Sequence, residues 1–143
     1  MPKSTTFSND LVALVFNATA IANIADNASS SPLTSLYLSL HTASPGIGGS
    51  QTTNETSYTN YARIAVTRNS GGWTVSGGVA QNAALAQFAQ CGASGATITH
   101  VGIGTASSGT GKMLYAGALN SSLAVANLIQ PQFSIGALTV TEA

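Results

Sequence analysis

The sequence predicts a mainly β protein, an antiparallel β-sandwich or jelly roll that is preceded by one N-terminal helix. Three observations predict this fold class. Near the N-terminus, apolar residues recur at spacings of three and four, which is the period of an amphipathic helix. From residue 36 onward the apolar period is two, as in half-buried strands. Turn signals then follow one another about every ten residues, as they do in sandwiches and jelly rolls.

The 143 residues are enough for one domain of common size that buries its own apolar core. We expect a single domain overall. Residues 1–32 form the N-terminal helix and a linker, and residues 33–143 form the β-sandwich domain. No internal repeat and no shift in composition divides the second part.

The N-terminal helix is predicted over about residues 9–26. Ser8, Asn9 and Asp10 are good N-cap residues, and an acidic residue is favoured at the positive end of a helix. An apolar stripe follows, made of Leu11, Leu14, Val15, Ala18, Ile21, Ala22 and Ala25. Small polar residues and Pro32 end the helix. The favoured interpretation packs the stripe on the protein's own core, and the alternative docks it on a partner.

The first strand is predicted from Leu36 to His41, with its leucines on one face and Tyr37, Ser39 and His41 on the other. Residues 43–60 then form a long loop that is rich in Gly, Ser, Thr and Asn. Loops of this length inside compact domains are usually functional or mobile. Because this loop is too polar to have a core of its own, we expect it to become ordered only against a partner.

A second strand is predicted at residues 61–68, and a turn at residues 69–72 separates it from a strand that begins at Trp73. Further strands are predicted at residues 79–82, 85–89, 96–103, 113–119, 122–127 and 132–141. Residues 83–84 and 123–129 have a helical alternative, since alanine and leucine favour helices.

Charge is scarce in this sequence. Four Lys+Arg and four Asp+Glu make up 6% of the residues, against about 25% in an ordinary soluble domain, and the formal net charge is zero. Because four basic residues cannot neutralise a run of phosphates, we expect no nucleic acid as a partner. No stretch is apolar over the length that spans a bilayer, so no membrane is expected either. Since little repulsion keeps copies apart, we expect self-association as a dimer or trimer within an assembly.

No catalytic or metal-binding constellation is complete in the sequence. The glycine-rich residues 102–111 lack positions that phosphate-binding and dinucleotide-binding loops require, and they are interpreted as a hairpin connection. His41 and His100 have no ligand-type neighbours and alternate with apolar residues, as structural histidines do. Cys91 alone is more often a small buried residue than a nucleophile. We therefore expect no enzymatic activity, no metal site and no cofactor.

What remains is a candidate contact surface of aromatic and arginine side chains, which are enriched at the centres of protein interfaces. The predicted interface residues are Tyr37, Tyr58, Tyr61, Arg63 and Arg68. Tyr61 has a core position as its alternative, and for Trp73 the core is favoured. Tyr58 and Arg63 stand at the base of the polar loop, so we expect them to anchor a partner there.

Four segments carry a resemblance to known proteins: residues 36–46 (LYLSLHTASPG), 51–66 (QTTNETSYTNYARIAV), 98–106 (ITHVGIGTA) and 114–119 (LYAGAL). Together they are similar to a family of small virion proteins of tailed bacteriophages, and the resemblance covers most of residues 33–141. Members are often labelled tail fibre proteins, while similar small proteins act as capsid cement or decoration proteins with a jelly-roll fold. The resemblance implies no catalytic residues and does not extend to the N-terminal helix.

From the resemblance and the scarce charge we expect a non-enzymatic structural protein of the phage virion. The favoured form is a cement or decoration protein that bridges major capsid protein subunits on the outer surface of the head and stabilises it. Its partners are then the major capsid protein lattice and further copies of itself, and it is made in the host cytoplasm. A tail-attached or fibre-base subunit is the structural alternative. A jelly-roll carbohydrate-binding module is the alternative of another class.

Overall fold

The structure, a computed structural model, describes residues 4–21, residue 25 and residues 32–142 of the chain. Within these residues the elements are α1 (Thr5–Asn17), β1 (Ser35–His41), β2 (Ile64–Thr67), β3 (Trp73–Ser76), β4 (Val79–Asn82), β5 (Ala86–Gln87), β6 (Ala96–Gly104), β7 (Met113–Val125), β8 (Gln132–Phe133) and β9 (Thr139–Thr141). The strands form a four-stranded sheet in the order β2-β1-β6-β7, a three-stranded sheet in the order β3-β4-β9 and a ribbon of β5 and β8. The predicted fold class, mainly β with one N-terminal helix and antiparallel sheets, is confirmed. The jelly-roll connectivity stays a prediction.

The chain divides into two compact units. Unit 1 comprises residues 1–35, 66–86 and 133–143, and unit 2 comprises residues 36–65 and 87–132. The chain therefore passes from one unit to the other four times, at 35/36, 65/66, 86/87 and 132/133. The predicted division into an N-terminal segment of residues 1–32 and a domain of residues 33–143 stays a prediction.

The helix α1 begins four residues earlier than predicted and ends well before residue 26. Ser4 is the N-cap, and its hydroxyl accepts a hydrogen bond from the backbone N–H of Phe7 (3.2 Å). Ser8, one of the predicted caps, is instead buried within the helix. Ala18 adopts a left-handed backbone conformation (φ 54°), which ends the helix. Residues 22–24 and 26 of the predicted helix lie outside the described residues.

One face of α1 packs into the core of unit 1. Val12 and Phe16 are fully buried, and the ring of Phe16 meets the ring of Trp73 edge to face at 4.6 Å. The prediction that the helix packs on its own core is confirmed for α1, and so is the core position of Trp73. No helix among the described residues is long and apolar enough to cross a membrane.

Arg68 holds the C-terminal end of α1. Its Nε donates to the carbonyl oxygen of Val15 (2.6 Å), its Nη2 to that of Leu14 (2.6 Å) and its Nη1 to that of Leu33 (2.8 Å). The carbonyls of Leu14 and Val15 lie at the last turn, where carbonyls have no partner within the helix, and a cation there also meets the negative end of the helix dipole. Arg68, predicted as an interface residue, therefore acts inside unit 1 as a helix cap.

The three-stranded sheet of unit 1 is built on a tight hairpin. Strands β3 and β4 pair from Trp73 opposite Asn82 to Ser76 opposite Val79, which leaves only Gly77-Gly78 for the turn. Both glycines have positive φ (58° and 78°), as a type I′ turn requires. Strand β9 then pairs with the other side of β4.

Asn82 connects two chain segments, residues 82–84 and residues 134–138, at the end of this sheet. Its amide nitrogen donates to the carbonyl oxygens of Ala84 (2.8 Å) and Ser134 (2.9 Å). Its amide oxygen accepts from the backbone N–H of Leu138 (2.9 Å). The side chain is 1% exposed, so these three hydrogen bonds have no water to replace them.

The four-stranded sheet has β1 near its centre. Leu36, Leu38 and Leu40 are buried on one face of β1, as the alternation predicted. On the other face Ser39 and His41 are also fully buried, because the loop that follows β1 covers them. The polar positions of β1 are therefore inside the protein and not on its surface.

Strand β7 replaces the two strands predicted at residues 113–119 and 122–127. Between the pairs Ile98–Leu123 and His100–Ala118, residues 119–122 of β7 lie opposite the single residue Thr99. This is a large β-bulge, and it interrupts the ladder at the place where sequence analysis put a break. The helical alternatives are wrong, since β7 continues to Val125 and no helix forms at residues 83–84 or 126–129.

The predicted strands at residues 85–89 and 132–141 are much shorter in the structure. The first range contains only the two-residue strand β5. The second range contains only β8 and β9, which are separated by turns. Phe88 and Cys91 continue beside residues 129–131 through single backbone hydrogen bonds without forming a regular ladder.

Asn82→Asp is expected to destabilise the protein by about 2–5 kcal/mol. The carboxylate is nearly isosteric, but it loses both amide donors, and a buried charge then faces two carbonyl oxygens. Urea unfolding at neutral pH measures the change. Asn120→Asp, at an exposed position of the β7 bulge, is the matched control and is expected to have little effect. A loss below about 1 kcal/mol for Asn82→Asp would contradict the structural role of Asn82.

Candidate functional site

The long loop of residues 43–60 is fixed by contacts within unit 2. The backbone N–H of Thr42 donates to the carbonyl oxygen of Asn54 (2.9 Å), and that of Thr56 donates to Leu40 (2.9 Å). Residues 54–56 of the loop are thereby held beside the C-terminal end of β1. The expectation that the loop becomes ordered only against a partner is wrong, because the chain itself supplies these contacts.

Gln51 fastens the middle of the loop. Its side chain is fully buried, its Oε1 accepts from the backbone N–H of Ala106 (2.9 Å) and its Nε2 donates to the Ala106 carbonyl (3.3 Å). Gly104 and Gly111 leave the space that it occupies, since a Cβ on either glycine would overlap the Gln51 side chain. Sequence analysis missed this residue because a glutamine in a polar loop looks solvent-exposed.

Glu55 and Arg63 form a bidentate ion pair at the base of the loop. Arg63 Nε donates to Glu55 Oε1 (2.7 Å), and Arg63 Nη2 donates to Oε2 (2.7 Å). The Arg63 side chain is only 2% exposed and that of Glu55 is 14% exposed. The same guanidinium donates to the carbonyl oxygens of Ala106 (2.9 Å) and Gly109 (2.8 Å). Hydrogen bonding to Glu55 is the main cause that raises the pKa of Arg63.

Tyr61 completes this cluster. Its hydroxyl donates to Glu55 Oε1 (2.8 Å) and accepts from the backbone N–H of Leu40 (3.1 Å). Its ring stacks on that of Phe88, with the ring centres 6.2 Å apart. Burial raises the pKa of the Tyr61 phenol well above its usual range. Tyr61 is therefore a neutral hydrogen-bond donor that supports the carboxylate at any physiological pH.

Tyr58 belongs to the core of unit 2. It is 3% exposed, its hydroxyl donates to the carbonyl oxygen of Ala89 (2.9 Å) and its ring meets Tyr61 edge to face at 5.3 Å. Burial raises the pKa of Tyr58 to about 12. Sequence analysis placed Tyr58 at the surface because it stands in a polar loop, whereas the long-range contact with Ala89 turns it inward.

His41 is a buried, hydrogen-bonded histidine. Its Nδ1–H donates to the carbonyl oxygen of Thr53 (2.9 Å), which leaves Nε2 to accept from the hydroxyl of Ser39 (2.8 Å). Burial lowers the pKa of His41, since the charged imidazolium is poorly solvated there. His100 lies opposite His41 in the β1–β6 ladder, and its ring nitrogen contacts Thr99. Both residues fit the structural interpretation that sequence analysis gave them.

Cys91 lies in the core of unit 2. It is 1% exposed, and its Sγ donates to the carbonyl oxygen of Ser94 (3.4 Å). Among residues 4–21, 25 and 32–142, no three His, Cys, Asp or Glu side chains are grouped so that they could hold a metal ion.

An open groove of about 340 Å³ runs beside the ion pair. Its lining includes Ser57, Asn60, Ser107 and Ser108 together with the cluster of Glu55, Tyr61 and Arg63, and it exposes polar and apolar atoms in about equal measure. The charged residues of the cluster are already bonded to each other, so the polar groups that the groove offers are hydroxyl and amide groups. Such a lining can exchange hydrogen bonds with a polar surface.

The predicted interface residues thus lie in three different places. Tyr58, Tyr61 and Arg63 are brought together around Glu55 in unit 2, while Tyr37 is half-buried in β1. Arg68 lies in unit 1. Their role in contacting a partner stays a prediction, and the structure adds a support role within each unit.

Exposed apolar side chains are the surface feature that sequence analysis missed. In unit 2, Ile47 stands fully exposed in a glycine-rich turn, and Leu128 and Ile129 are 69% and 41% exposed. Leu128 also adopts a positive φ (70°), which is unfavourable for a leucine. In unit 1, Leu85 and Ile135 are 51% and 69% exposed. The sequence does contain a signal that Ile47 is exposed: it stands between Gly46 and Gly48, where no core residue is expected.

Comparison with known proteins gives one match to a family. Residues 2–141 match the sequence model of a family whose description is podophage GP4 fiber I protein gp80. No curated protein sequence matches the chain. The match includes the N-terminal helix, which lay outside the segments that carried the resemblance.

Arg63→Ala is expected to destabilise the protein by about 3–5 kcal/mol, because it leaves the Glu55 carboxylate without its cation in a mostly buried place. Arg63→Lys is expected to recover only part of this loss, since an ammonium cannot reach both carboxylate oxygens and two carbonyls. Chemical denaturation of both variants measures this. Lys112→Ala removes an exposed cation and is the control. If Arg63→Ala costs no more than Lys112→Ala, the ion pair is not a structural support.

Acidification is expected to destabilise the protein through His41. Because burial lowers the folded-state pKa below 6.5, the unfolded chain binds the proton more readily than the folded one. The contribution of His41 to the free energy of unfolding is complete above the pKa that His41 has in the unfolded chain. It is lost as the pH falls below that pKa. Urea unfolding between about pH 8 and 5.5 should show a slope of up to about 1.4 kcal/mol per pH unit below 6.5.

A variant of His41 tests this assignment. His41→Gln should flatten the slope. An unchanged slope in His41→Gln would refute the assignment to His41.

Proposed function

The chain belongs to the family described as podophage GP4 fiber I protein gp80, and we propose that it is attached to the phage tail as a structural subunit at the base of a fibre. It is a structural protein of a phage virion, related to tail fibres. The observation that carries the proposal of tail attachment is the family match, which spans residues 2–141 of the 143 residues. The proposal thus takes up the tail-attached alternative of the sequence analysis.

The proposed mechanism is non-covalent adhesion that involves no catalysed reaction. The ionisable side chains beside the groove, Glu55 and Arg63, are paired with each other, and Tyr61 donates to Glu55. What the surface of unit 2 offers a partner is hydroxyl groups, amides and the exposed apolar side chains of Ile47, Leu128 and Ile129. Apolar anchors surrounded by polar groups are the usual composition of a protein interface.

Binding of this kind favours the assembled virion by mass action. A subunit that binds only the assembled tail stabilises that state, and several copies multiply a modest energy at each site. A stiff subunit loses little conformational entropy on binding, and the fixed loop of residues 43–60 meets that condition in unit 2.

A cement or decoration protein on the outer surface of the head is the second candidate. It is supported by the scarce charge, which lets many copies pack side by side, and by the resemblance to small cement proteins. A carbohydrate-binding module has less support, because it requires exposed aromatic faces while Tyr58 is 3% exposed and Tyr61 is stacked on Phe88.

The copy number per virion is expected to match that of tail and fibre proteins. Quantitative mass spectrometry of purified virions, with the portal and major capsid proteins as internal references, measures it. A ratio to the portal protein that is a small whole number supports tail attachment. A copy number comparable to that of the major capsid protein would refute it in favour of the head.

Immunogold labelling supplies the location independently. Tailless heads purified from the same infection are the control, since they should lack the protein if it is bound to the tail.

A further inference from the structure

Leu128 occupies a turn position that is unfavourable for a leucine. The backbone N–H of Ile129 donates to the carbonyl oxygen of Ala126 (3.0 Å), which closes a four-residue turn over residues 126–129. Leu128 is the third residue of this turn and has a φ of 70°. A type II turn requires a positive φ at this position, where glycine or asparagine is usual. A leucine pays a conformational cost there, because its Cβ crowds the backbone.

Burial does not offset this cost. Leu128 is 69% exposed and its neighbour Ile129 is 41% exposed. A leucine that stands in solvent adds little to the core, so the stability of the fold does not account for its presence at this position. Strained residues cluster at the sites where proteins contact ligands and partners. The turn is therefore a candidate contact site.

The turn is fixed to the core of unit 2. The backbone N–H of Leu128 donates to the carbonyl oxygen of Cys91 (2.9 Å), and that of Cys91 donates to the carbonyl oxygen of Ile129 (2.8 Å). Gln90 Nε2 donates to the carbonyl oxygen of Leu128 (2.9 Å). Cys91 is buried, so these bonds hold the turn to a fixed support. An anchor that is ordered before binding loses little conformational entropy when it binds.

Uncharged polar groups lie beside the two apolar side chains. Gln90 and Gln130 are exposed, and their amide nitrogens donate to the carbonyl oxygens of Leu128 and Phe88 (2.9 Å each). Each amide is thus held in place and can offer its oxygen to a partner. The sequence has no charged residue between positions 68 and 112 or between positions 112 and 142. Apolar anchors within a polar rim are typical of protein interfaces.

We propose that Leu128 and Ile129 form an anchor that inserts into an apolar recess on a neighbouring protein of the virion. The family match makes the chain a structural protein of a phage virion, and such a protein is held in place by contacts with other virion proteins. The recess is uncharged and has hydrogen-bonding groups at its rim, so that it matches the amides of Gln90 and Gln130.

A second copy and a bilayer are the other conceivable occupants. A two-fold contact between copies requires one surface to fit itself, and a projecting leucine does not fit another projecting leucine. A bilayer surface that carries anionic lipids is held by basic residues, and the basic residue nearest to Leu128 in sequence is Lys112. The proposal needs the protein to be part of the virion but does not depend on where, so the copy-number experiment and this one fail separately.

Leu128→Asn and Leu128→Gly separate the anchor from the fold. Both residues adopt a positive φ more readily than leucine, and the backbone hydrogen bonds of the turn are kept. The Tm of each variant is therefore expected to equal or exceed that of the wild type. A leucine that supported the fold would give the opposite result, a lower Tm in both variants.

The binding test is competition for places in the virion. Host cells produce the variant chain from a plasmid while wild-type phage infects them. Mass spectrometry then compares the ratio of variant to wild-type chain in purified virions with the ratio in the lysate. Both Leu128 variants are expected to be depleted at least about tenfold in virions. Leu85→Asn, which changes an exposed leucine of unit 1, is the matched control and should keep the ratio of the lysate.

Four results would overturn the proposal. Folded Leu128→Asn that enters virions as well as the wild type does so, and so does a Tm that falls in both Leu128 variants. A wild-type dimer in sedimentation velocity that Leu128→Asn abolishes would assign the turn to a second copy. Flotation of the wild-type chain, but not of Leu128→Asn, with vesicles of phosphatidylethanolamine and phosphatidylglycerol would assign it to a membrane.

Discussion

The ion pair of Glu55 and Arg63 is the interaction on which the shape of unit 2 most depends. A single guanidinium bonds the carboxylate of the long loop and the carbonyl oxygens of Ala106 and Gly109, so it joins two loops that are far apart in sequence. Tyr61 then bridges the same carboxylate to β1 through Leu40. Arginine suits this place because its planar fork satisfies four acceptors at fixed angles. Without it, the polar loop of 18 residues would lose its link to residues 106–109 through Arg63 and keep only the bond of Gln51 to Ala106 there.

Some of the few charged residues of the chain therefore have structural roles. Two of the four basic residues, Arg63 and Arg68, donate to backbone carbonyl oxygens inside their own units. The outer surface is left even more neutral than the composition suggests. A neutral surface binds neighbours through shape, hydrogen bonds and small apolar patches, and contacts of that type change little with ionic strength. Contacts that are insensitive to ionic strength suit a phage particle, because it meets media of very different salt concentration.

Local patterns in the sequence predicted the fold class and the strands β1, β3, β4 and β6. The alternation of leucines in β1 and the turn at residues 69–72 are local signals, and the structure follows them. The helix boundaries were wrong because Ser4 and Ser8 are equally good caps by residue type, while Ser8 is buried within the helix and Ala18 ends it in a left-handed conformation. The inward positions of Gln51 and Tyr58 were not predictable, since Ala106 and Ala89, which bond them, are 55 and 31 residues away.

Unit 1 takes its residues from three separate stretches and unit 2 from two. During synthesis, unit 2 lacks residues until residue 132 has been made, and unit 1 is completed only by the later residues 133–143. No single cut in the gene yields a fragment that contains one whole unit and nothing of the other. In a phage genome that exchanges parts by recombination, any crossover between residues 36 and 132 of this gene would build both units from two different parents.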